Sequence, residues 1–278
     1  MGAATARDLQ APLPEISDQE FAQFQRFIFE AAGITLASGK KMLVSSRLGR
    51  RVQHYEMGSF AAYFRLLSGG LQPAEVQTAI DLLTTNETYF FREPRHFEFL
   101  QKQLSAAPAR SQPLRIWSAA GSSGEEAYSI AMLLEDRLEG HAWEVIASDI
   151  SARVLERARA GHYPMERARF IPLPYLQRFC LKGTGKQDQT LLVDRGLRNK
   201  VSFLQINLNA QLPAIGSFDF VFLRNVLIYF NQQTKRDVLA RVLSVLRPGG
   251  WLFIGHSENL HGITDAVKAV APSIYRKP

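Results

Sequence analysis

Apolar residues recur at helical spacing through the first 84 positions of the chain. Ser17 precedes the first such run and Glu20 stands three residues on, the spacing of a capping box. Phe21, Phe24, Phe27, Ile28 and Ala31 then trace one face of a helix expected to stop near Gly33. Residues 41–57 carry a second helical pattern, with Met42, Leu43, Leu48 and Val52 on the apolar side. Lys40, Lys41, Arg47, Arg50 and Arg51 cluster on the rest. Residues 60–67 and 75–83 predict two further helices, divided by SGGLQP. Four short helices in so short a stretch predict a small separate bundle over residues 16–84.

The pattern then changes. Thr85-Asn86-Glu87-Thr88 is polar and loop-like, Phe90-Phe91 is bulky, and Arg92 stands just before Glu93-Pro94. A helix is expected from there to about Leu104, and residues 105–113, SAAPARSQP, read as a linker. Arg115-Ile116-Trp117-Ser118 is a short apolar strand. Residues 119–124 form a loop with no side chain larger than a hydroxymethyl group, and Glu125-Glu126 open a helix carrying Ala127, Ile130, Ala131, Leu134 and Leu138. A second strand at 143–147 leads into Ser148-Asp149-Ile150 and a helix to about Ala160. Residues 163–200 break the alternation with prolines, a GTG turn and a short strand at 190–193, which predicts a small antiparallel insertion. Strands at 201–204 and 218–223 resume it. A helix capped by Asn231 carries Val238, Leu239, Val242 and Leu246, and Arg247-Pro248-Gly249-Gly250 reads as a sharp stop. A fifth strand at 251–255 and an edge pair within 266–275 follow. The predicted class is α/β. A doubly wound, Rossmann-like domain over residues 85–278 carries the insertion and follows an N-terminal all-helical domain.

Composition bounds the partners more than the fold. At 278 residues, 46% hydrophobic and 21% charged, the chain has ample core for two domains. No apolar run reaches 18 residues, so no membrane insertion is expected. Residues 1–15 hold prolines and acids without an apolar core, and read as a disordered lead-in rather than a signal peptide. Cys180 is the single cysteine, which excludes an internal disulfide framework and a cysteine-built metal site. A cytoplasmic protein is expected. The net charge of +7 favours an acidic partner.

Strand, small-residue loop and helix make the first half of a nucleotide-binding unit. Gly121 and Gly124 are three apart, and Ala119 stands where G-x-G-x-x-G would begin, so the dinucleotide fingerprint is not met. Glu125 and Glu126 would repel a pyrophosphate at this helix N-terminus. A cofactor without phosphate, S-adenosylmethionine, fits better, because a carboxylate can hold its ammonium. Acids at the end of the second strand grip ribose hydroxyls in such folds, which nominates Asp149. The alternative is that Asp149 or Ser151 merely caps the following helix.

TTNETYFFRE, WSAAGSSGEEAYSIAM, ASDI, FLRNVLIYF, LRPGG and GHSEN occur in this order. Together they resemble the CheR family of chemotaxis receptor glutamate methyltransferases over nearly the whole chain. LRPGG alone is common to many methyltransferases. The resemblance implies that Asn86, Thr88 and Arg92 reach S-adenosylmethionine from the interdomain segment, with Ala119 and Gly121 in its loop. One of Glu125 and Glu126, with Glu126 favoured, would serve the methionine end and Asp149 the ribose. Asn207 and Leu208 would line the adenine, with Arg224 and Asn225 beside it. Arg92 and Tyr229 would flank the methyl-transfer site. Lys40, Lys41, Arg47, Arg50 and Arg51 would meet the acidic methylation helices of the receptor's cytoplasmic bundle. In some members the insertion binds a receptor C-terminal pentapeptide; here Gly183, Gly185, Arg178, Arg195 and Arg198 would form that tether. S-adenosylhomocysteine would be the product.

The chemistry agrees with this inventory. A carboxylate is ionised at neutral pH, so methylating it needs no general base, and no catalytic triad or metal cluster is evident in the sequence. The charge pattern also suits a nucleic-acid methyltransferase. That class usually carries a [DN]PPY-type element where Arg224-Asn225-Val226 stands, and its cysteine nucleophile has only Cys180 as counterpart. Pro172-Leu173-Pro174-Tyr175 lies in the insertion. A third reading, a binding module without catalysis, is disfavoured by intact Arg92 and Asp149.

Overall fold

Residues 14–106, 112–138 and 140–278 are described in the computed structural model of the chain. The expected lead-in lies outside them except for residues 14 and 15, and so do residues 107–111 of the expected linker.

The helical unit begins at α1 (Asp18–Ala32), where the Ser17 hydroxyl accepts the Glu20 N–H and the Glu20 carboxylate accepts the Ser17 N–H. Gly33 ends it at φ 73°, a conformation that penalises any Cβ. α2 (Lys41–His54), α3 (Phe60–Ser68) and α4 (Pro73–Leu83) pack against α1 around Phe24, Ile28, Leu48, Phe60 and Tyr63. The buried side of α2 differs from the expected one. Val44, Leu48 and Val52, four residues apart, face the core, while Met42 is 77% exposed. Residues at i, i+4 and i+8 share a helix face, and a residue two positions away points nearly opposite. Inside this unit Glu75 is only 3% exposed, and its carboxylate accepts from Arg51, Tyr55 and Tyr63. A buried carboxylate requires such partners.

The second unit starts with α5 (Pro94–Ala106) and β1 (Leu114–Ser118), then α6 (Glu125–Arg137), β2 (Trp143–Asp149) and α7 (Ala152–Ala160). The insertion follows as β3 (His162–Pro164), α8 (Leu173–Phe179), β4 (Cys180–Lys182), β5 (Thr190–Val193) and α9 (Arg195–Arg198). β6 (Val201–Gln205), β7 (Phe218–Leu223), α10 (Gln232–Ser244), β8 (Leu246–Ile254), β9 (Lys268–Ala271) and β10 (Ile274–Arg276) complete the chain. β8 starts earlier than expected. Leu246 belongs to it rather than to α10, and the Arg247–Gly250 stretch is strand rather than a stop. A register shift against β7 between Phe218 and Phe220 accommodates the glycines.

Among the described residues the main sheet has seven strands in the order β6-β2-β1-β7-β8-β10-β9. β1 lies parallel to both β2 and β7, and β10 runs antiparallel to β8. Side chains alternate across it. Ile116 joins α5 and α6 in one core, and Trp117 joins α10 in the other. The order reverses beside β1, so the crevice for a ligand opens at the C-terminal ends of β1, β2 and β7. The helical unit closes over that end. Asp81 accepts the N–H groups of Ala152 and Arg153 in the first turn of α7 at 3.1 and 3.2 Å, and Asn207 Nδ2 donates to the Ala31 carbonyl at 2.7 Å. No helix among the described residues is long and apolar enough to cross a membrane.

Candidate active site

The resulting cleft encloses about 830 Å³ of empty space, part of it open solvent at its mouth. Its floor is the β1–α6 loop. Ala119 N–H donates to the Phe222 carbonyl and Gly121 N–H to the Ser148 carbonyl, so the loop is stitched to both neighbouring strands. Gly124 has φ 95°, and a Cβ there would come within 2.9 Å of the Ala158 Cβ. Ala119 lines the cleft. Gly121 does not: it lies beneath, where a Cβ would meet Ser118 Oγ at 2.8 Å. The side of Gly121 that a Cβ would occupy is taken up by this packing.

The two glutamates that open α6 take different sides. Glu126 lines the cleft, with Ser118 Oγ donating to Oε1 at 2.6 Å and Arg224 Nη1 to Oε2 at 2.9 Å. Glu125 turns away to Ser123 and Arg167. Burial pushes the Glu126 carboxyl up, while Arg224 and Ser118 pull it back in part. Successive helix positions are about 100° apart, so only one of two adjacent residues can face the cleft.

Asp149 ends β2 and lines the same cleft. Its carboxylate accepts the N–H groups of Ser122 and Ser151, each at 3.0 Å. Ser151, not Asp149, is the cap of α7, since its hydroxyl accepts from Val154. Burial pushes the Asp149 carboxyl up to about 6, against the pull of those backbone donors.

The interdomain segment forms one wall. Asn86, Thr88 and Arg92 line it, and the Asn86 carbonyl accepts from Ser122 Oγ at 3.0 Å. Arg92 donates to the Glu87 carbonyl at 2.8 Å, and its guanidinium lies 5.7 Å from the centre of the Tyr89 ring. Tyr229 stands on the same cleft. Burial raises its phenol, and the Arg92 charge opposes that rise. Asn207 and Leu208 line the far end. The Asn207 amide is engaged by Ala31 and Asn209, so it shapes its loop.

Arg224 and Asn225 line the same cleft as Asn207 and Leu208. They follow β7, which β1 and β2 separate from β6 in the sheet, and Arg224 reaches Glu126. Arg224 is buried between Glu126 and Glu93, at 2.9 and 3.0 Å, and also donates to the Arg92 carbonyl. Asn225, at φ 56°, donates its N–H to Glu258 and its amide to Glu93. The sequence reading missed Glu93 and Glu258. Glu258 collects the N–H groups of Gly255, Asn225 and Ile228 and so fixes the loop under Arg224. The quoted strings FFRE and GHSEN contain both acids; apart from Gly255, the partners named here lie too far along the chain for a motif to reveal.

The expected basic docking face divides. Arg51 is engaged by Glu75, Lys41 pairs with Asp18 at 2.6 Å, and Arg47 donates to the carbonyls of Leu83 and Thr84. Lys40 and Arg50 remain exposed. In the insertion, Arg178 pairs with Asp136, and Arg198 donates to the Val193 and Ala160 carbonyls; Arg195 is exposed. β5 lies between β3 and β4, so the edges of this small sheet belong to β3 and β4. Gly183 serves its own hairpin, where a Cβ would fall 1.8 Å from the Gln187 carbonyl oxygen, while Gly185 has φ 57° in open space. Cys180 and Tyr175 lie away from the cleft, and burial pushes the Cys180 thiol up to about 12. Neither residue is placed to act on a nucleobase there.

Comparison with known proteins agrees with this division of the chain. Residues 19–84 match the model of the CheR methyltransferase all-alpha domain, and residues 86–275 that of the CheR methyltransferase SAM binding domain. Chemotaxis protein methyltransferase 2 of Pseudomonas aeruginosa is 43% identical over 260 residues, covering 92% of each chain. The chemotaxis protein methyltransferase of Escherichia coli is 44% identical over 248 residues, covering 88% of this chain and 85% of its own. That of Salmonella typhimurium is 40% identical over 264 residues, covering 94% and 90%. With both domain models matched in order and relatives above 40% identity along most of its length, the chain belongs to the CheR methyltransferase family.

Proposed function

We propose that this protein transfers the methyl group of S-adenosylmethionine to glutamate carboxylates on the cytoplasmic helices of chemotaxis receptors. The observation that carries this reading is the convergence of Glu126, Asp149, Arg92 and Tyr229 on one cleft. The residues fit the cofactor. Glu126 offers an anion for its ammonium at one end, Asp149 offers acceptors for its ribose hydroxyls, and apolar Ala119, Ile206 and Leu208 line the same cleft. Bound there, the cofactor supplies an electrophilic methyl group on a sulfonium.

The chain's own work is orientation. A glutamate acceptor arrives ionised, so no side chain has to remove a proton. Arg92 has five N–H donors in a fixed fork, and its bond to Glu87 aims the rest. Burial keeps the Tyr229 phenol protonated and donating at neutral pH. Both can hold one acceptor oxygen while the other attacks in line, and the half-enclosed cleft limits competing water. Tyr229→Phe is expected to lower the single-turnover rate about tenfold, the worth of one hydrogen bond to a charged group, with cofactor affinity unchanged. Rapid-quench measurement at saturating cofactor checks this, and a wild-type rate makes Tyr229 a packing residue.

Receptor docking is assigned to the exposed part of the basic face, Lys40 and Arg50. Arg50→Glu is expected to raise the Michaelis constant for receptor about threefold to tenfold at low salt, and less at high salt, because exposed charges are screened. Equal constants for the two proteins at low salt remove Arg50 from the docking face.

The insertion is read as the site of the receptor's C-terminal pentapeptide, now on β4. Among the described residues β4 pairs only with β5, and its Leu181 is exposed. An extended peptide can add to such an edge through backbone hydrogen bonds. Titration of receptor pentapeptides against wild type and Leu181→Pro tests it; equal binding by both places the peptide elsewhere. The methyl transfer itself is tested with labelled cofactor and receptor cytoplasmic fragments, followed by mild base. Carboxyl methyl esters release methanol, whereas methylated bases retain the label and would favour the nucleic-acid reading.

A further inference from the structure

Glu93, His96 and His256 come together on the far side of Arg224, and none of them lines the cleft. Glu93 and His96 flank the start of α5, joined by the His96 N–H to the Glu93 carbonyl at 3.0 Å. His256 follows β8. The His96 ring is wholly buried, and among the described residues neither of its nitrogens has a hydrogen-bond partner. A neutral imidazole presents one donor and one acceptor, so burial leaves both unmet, a costly arrangement. His96 Nδ1 lies 3.4 Å from Glu93 Oε2, and His256 Nε2 lies 3.8 Å from that same oxygen. The two rings meet edge to face with centroids 5.0 Å apart.

We propose that Glu93, His96 and His256 form a three-ligand site for a divalent transition-metal ion of the zinc type. One ligand atom from each residue lies within 4.8 Å of the other two. Metal–ligand bonds of about 2.0–2.2 Å in tetrahedral geometry set ligand atoms roughly 3.3–3.6 Å apart. The separations of 3.4 and 3.8 Å to Glu93 Oε2 are close to this, and rotation of His256 brings its nitrogen, now within 4.8 Å of that of His96, to the third. His256, with its side chain 47% exposed, supplies both that freedom and an entry path. Two imidazoles and a carboxylate are the donor set that suits zinc, with water in the fourth position. The local charge also allows it, because Arg224 is shared by two carboxylates, Glu93 and Glu126. A cation at Glu93 Oε2 draws on the same oxygen that holds Arg224, which ties the site to the cleft's anchor.

The site was not legible in the sequence. Glu93 and His96 sit three residues apart, but the third ligand is 160 residues away from His96, and the expectation there was no metal cluster.

The test uses the untagged full chain, stripped with chelator, without cofactor or receptor, so its outcome is independent of the methyl acceptor. Zn²⁺ is titrated by calorimetry, and Co²⁺ by its visible absorption as a check of coordination. Wild type and His261→Gln, which removes an exposed histidine elsewhere, are expected to bind one equivalent. His256→Gln is expected to bind at least about tenfold more weakly, as for loss of a group that sets metal affinity. His96→Gln should do the same if it folds; His256 carries the test otherwise, being on the surface. The absence of saturable binding by wild type, or wild-type affinity in His256→Gln, overturns the proposal.

Discussion

Arg224→Leu is expected to cost the protein about 3–5 kcal/mol of stability, the usual consequence of removing one member of a buried ionic group. The Arg224 side chain is 2% exposed, between Glu126 and Glu93. Leucine fills part of the space but leaves two carboxylates facing one another with no cation between them, and frees the Arg92 carbonyl from its donor. Denaturant unfolding at neutral pH measures the loss, and a change below about 1 kcal/mol would mean that the pair is solvated after all.

The pH dependence has a definite sign. Burial raises the Glu93 carboxyl, but Arg224, the His256 N–H and Asn225 outweigh it, so the group sits below its usual 4.5. Its contribution to wild-type stability is therefore present above the unfolded value and lost as pH falls through the lower folded one. The leucine variant lacks the strongest of those partners. Its deficit should shrink on acidification, with Glu126, already raised by burial, taking the first proton. Arg224→Lys keeps the charge without the fork and should recover only part of the loss. The same variant loosens the peptide that carries Arg92, so cofactor binding and turnover fall with stability.

Asp149→Ala is expected to weaken S-adenosylmethionine binding about tenfold to a hundredfold, as for the loss of charge-assisted hydrogen bonds to two hydroxyls. The carboxyl is raised from 3.8 to about 6 in the cofactor-free protein, chiefly by burial. Ribose hydroxyls donate to the ionised form, so wild-type affinity should rise with pH through about 6 and level off above it. Asp149→Asn, which cannot titrate, should show a flat profile at reduced affinity. The linkage to folding runs the other way. Between 3.8 and about 6 the native state holds a proton that the unfolded chain has released, so this group's contribution to stability falls as pH rises. Cofactor binding offsets that cost above pH 6. Calorimetric titration from pH 5 to 8 separates the cases. A pH-independent wild-type affinity, or an unchanged one in a folded Asp149→Ala, removes Asp149 from the ribose site.

Near neighbours in the chain carry most of what the sequence by itself determined. The reciprocal Ser17–Glu20 cap, the small-residue loop between β1 and α6, the acid at the end of β2 and the insertion between α7 and β6 each follow from turn chemistry or side-chain period within a few residues. The family motifs add cleft residues for the same reason, since a strand end and the loop after it present consecutive side chains. Tertiary structure decided where long or charged side chains end. Arg51 reads as docking surface until Glu75, 24 positions on, claims it. Arg224 reads as an adenine neighbour, and the fold adds its pairing with Glu126 and with Glu93, 131 positions back. Met42 and Val44 are equally apolar, and only the packing of α1 and α4 chose Val44. β5 became a central strand because β3 and β4 both found it. Periodicity specifies a face but not its partner. Burial then makes the choice binding, because a charge or apolar surface removed from water must meet its complement, however distant that lies in the chain.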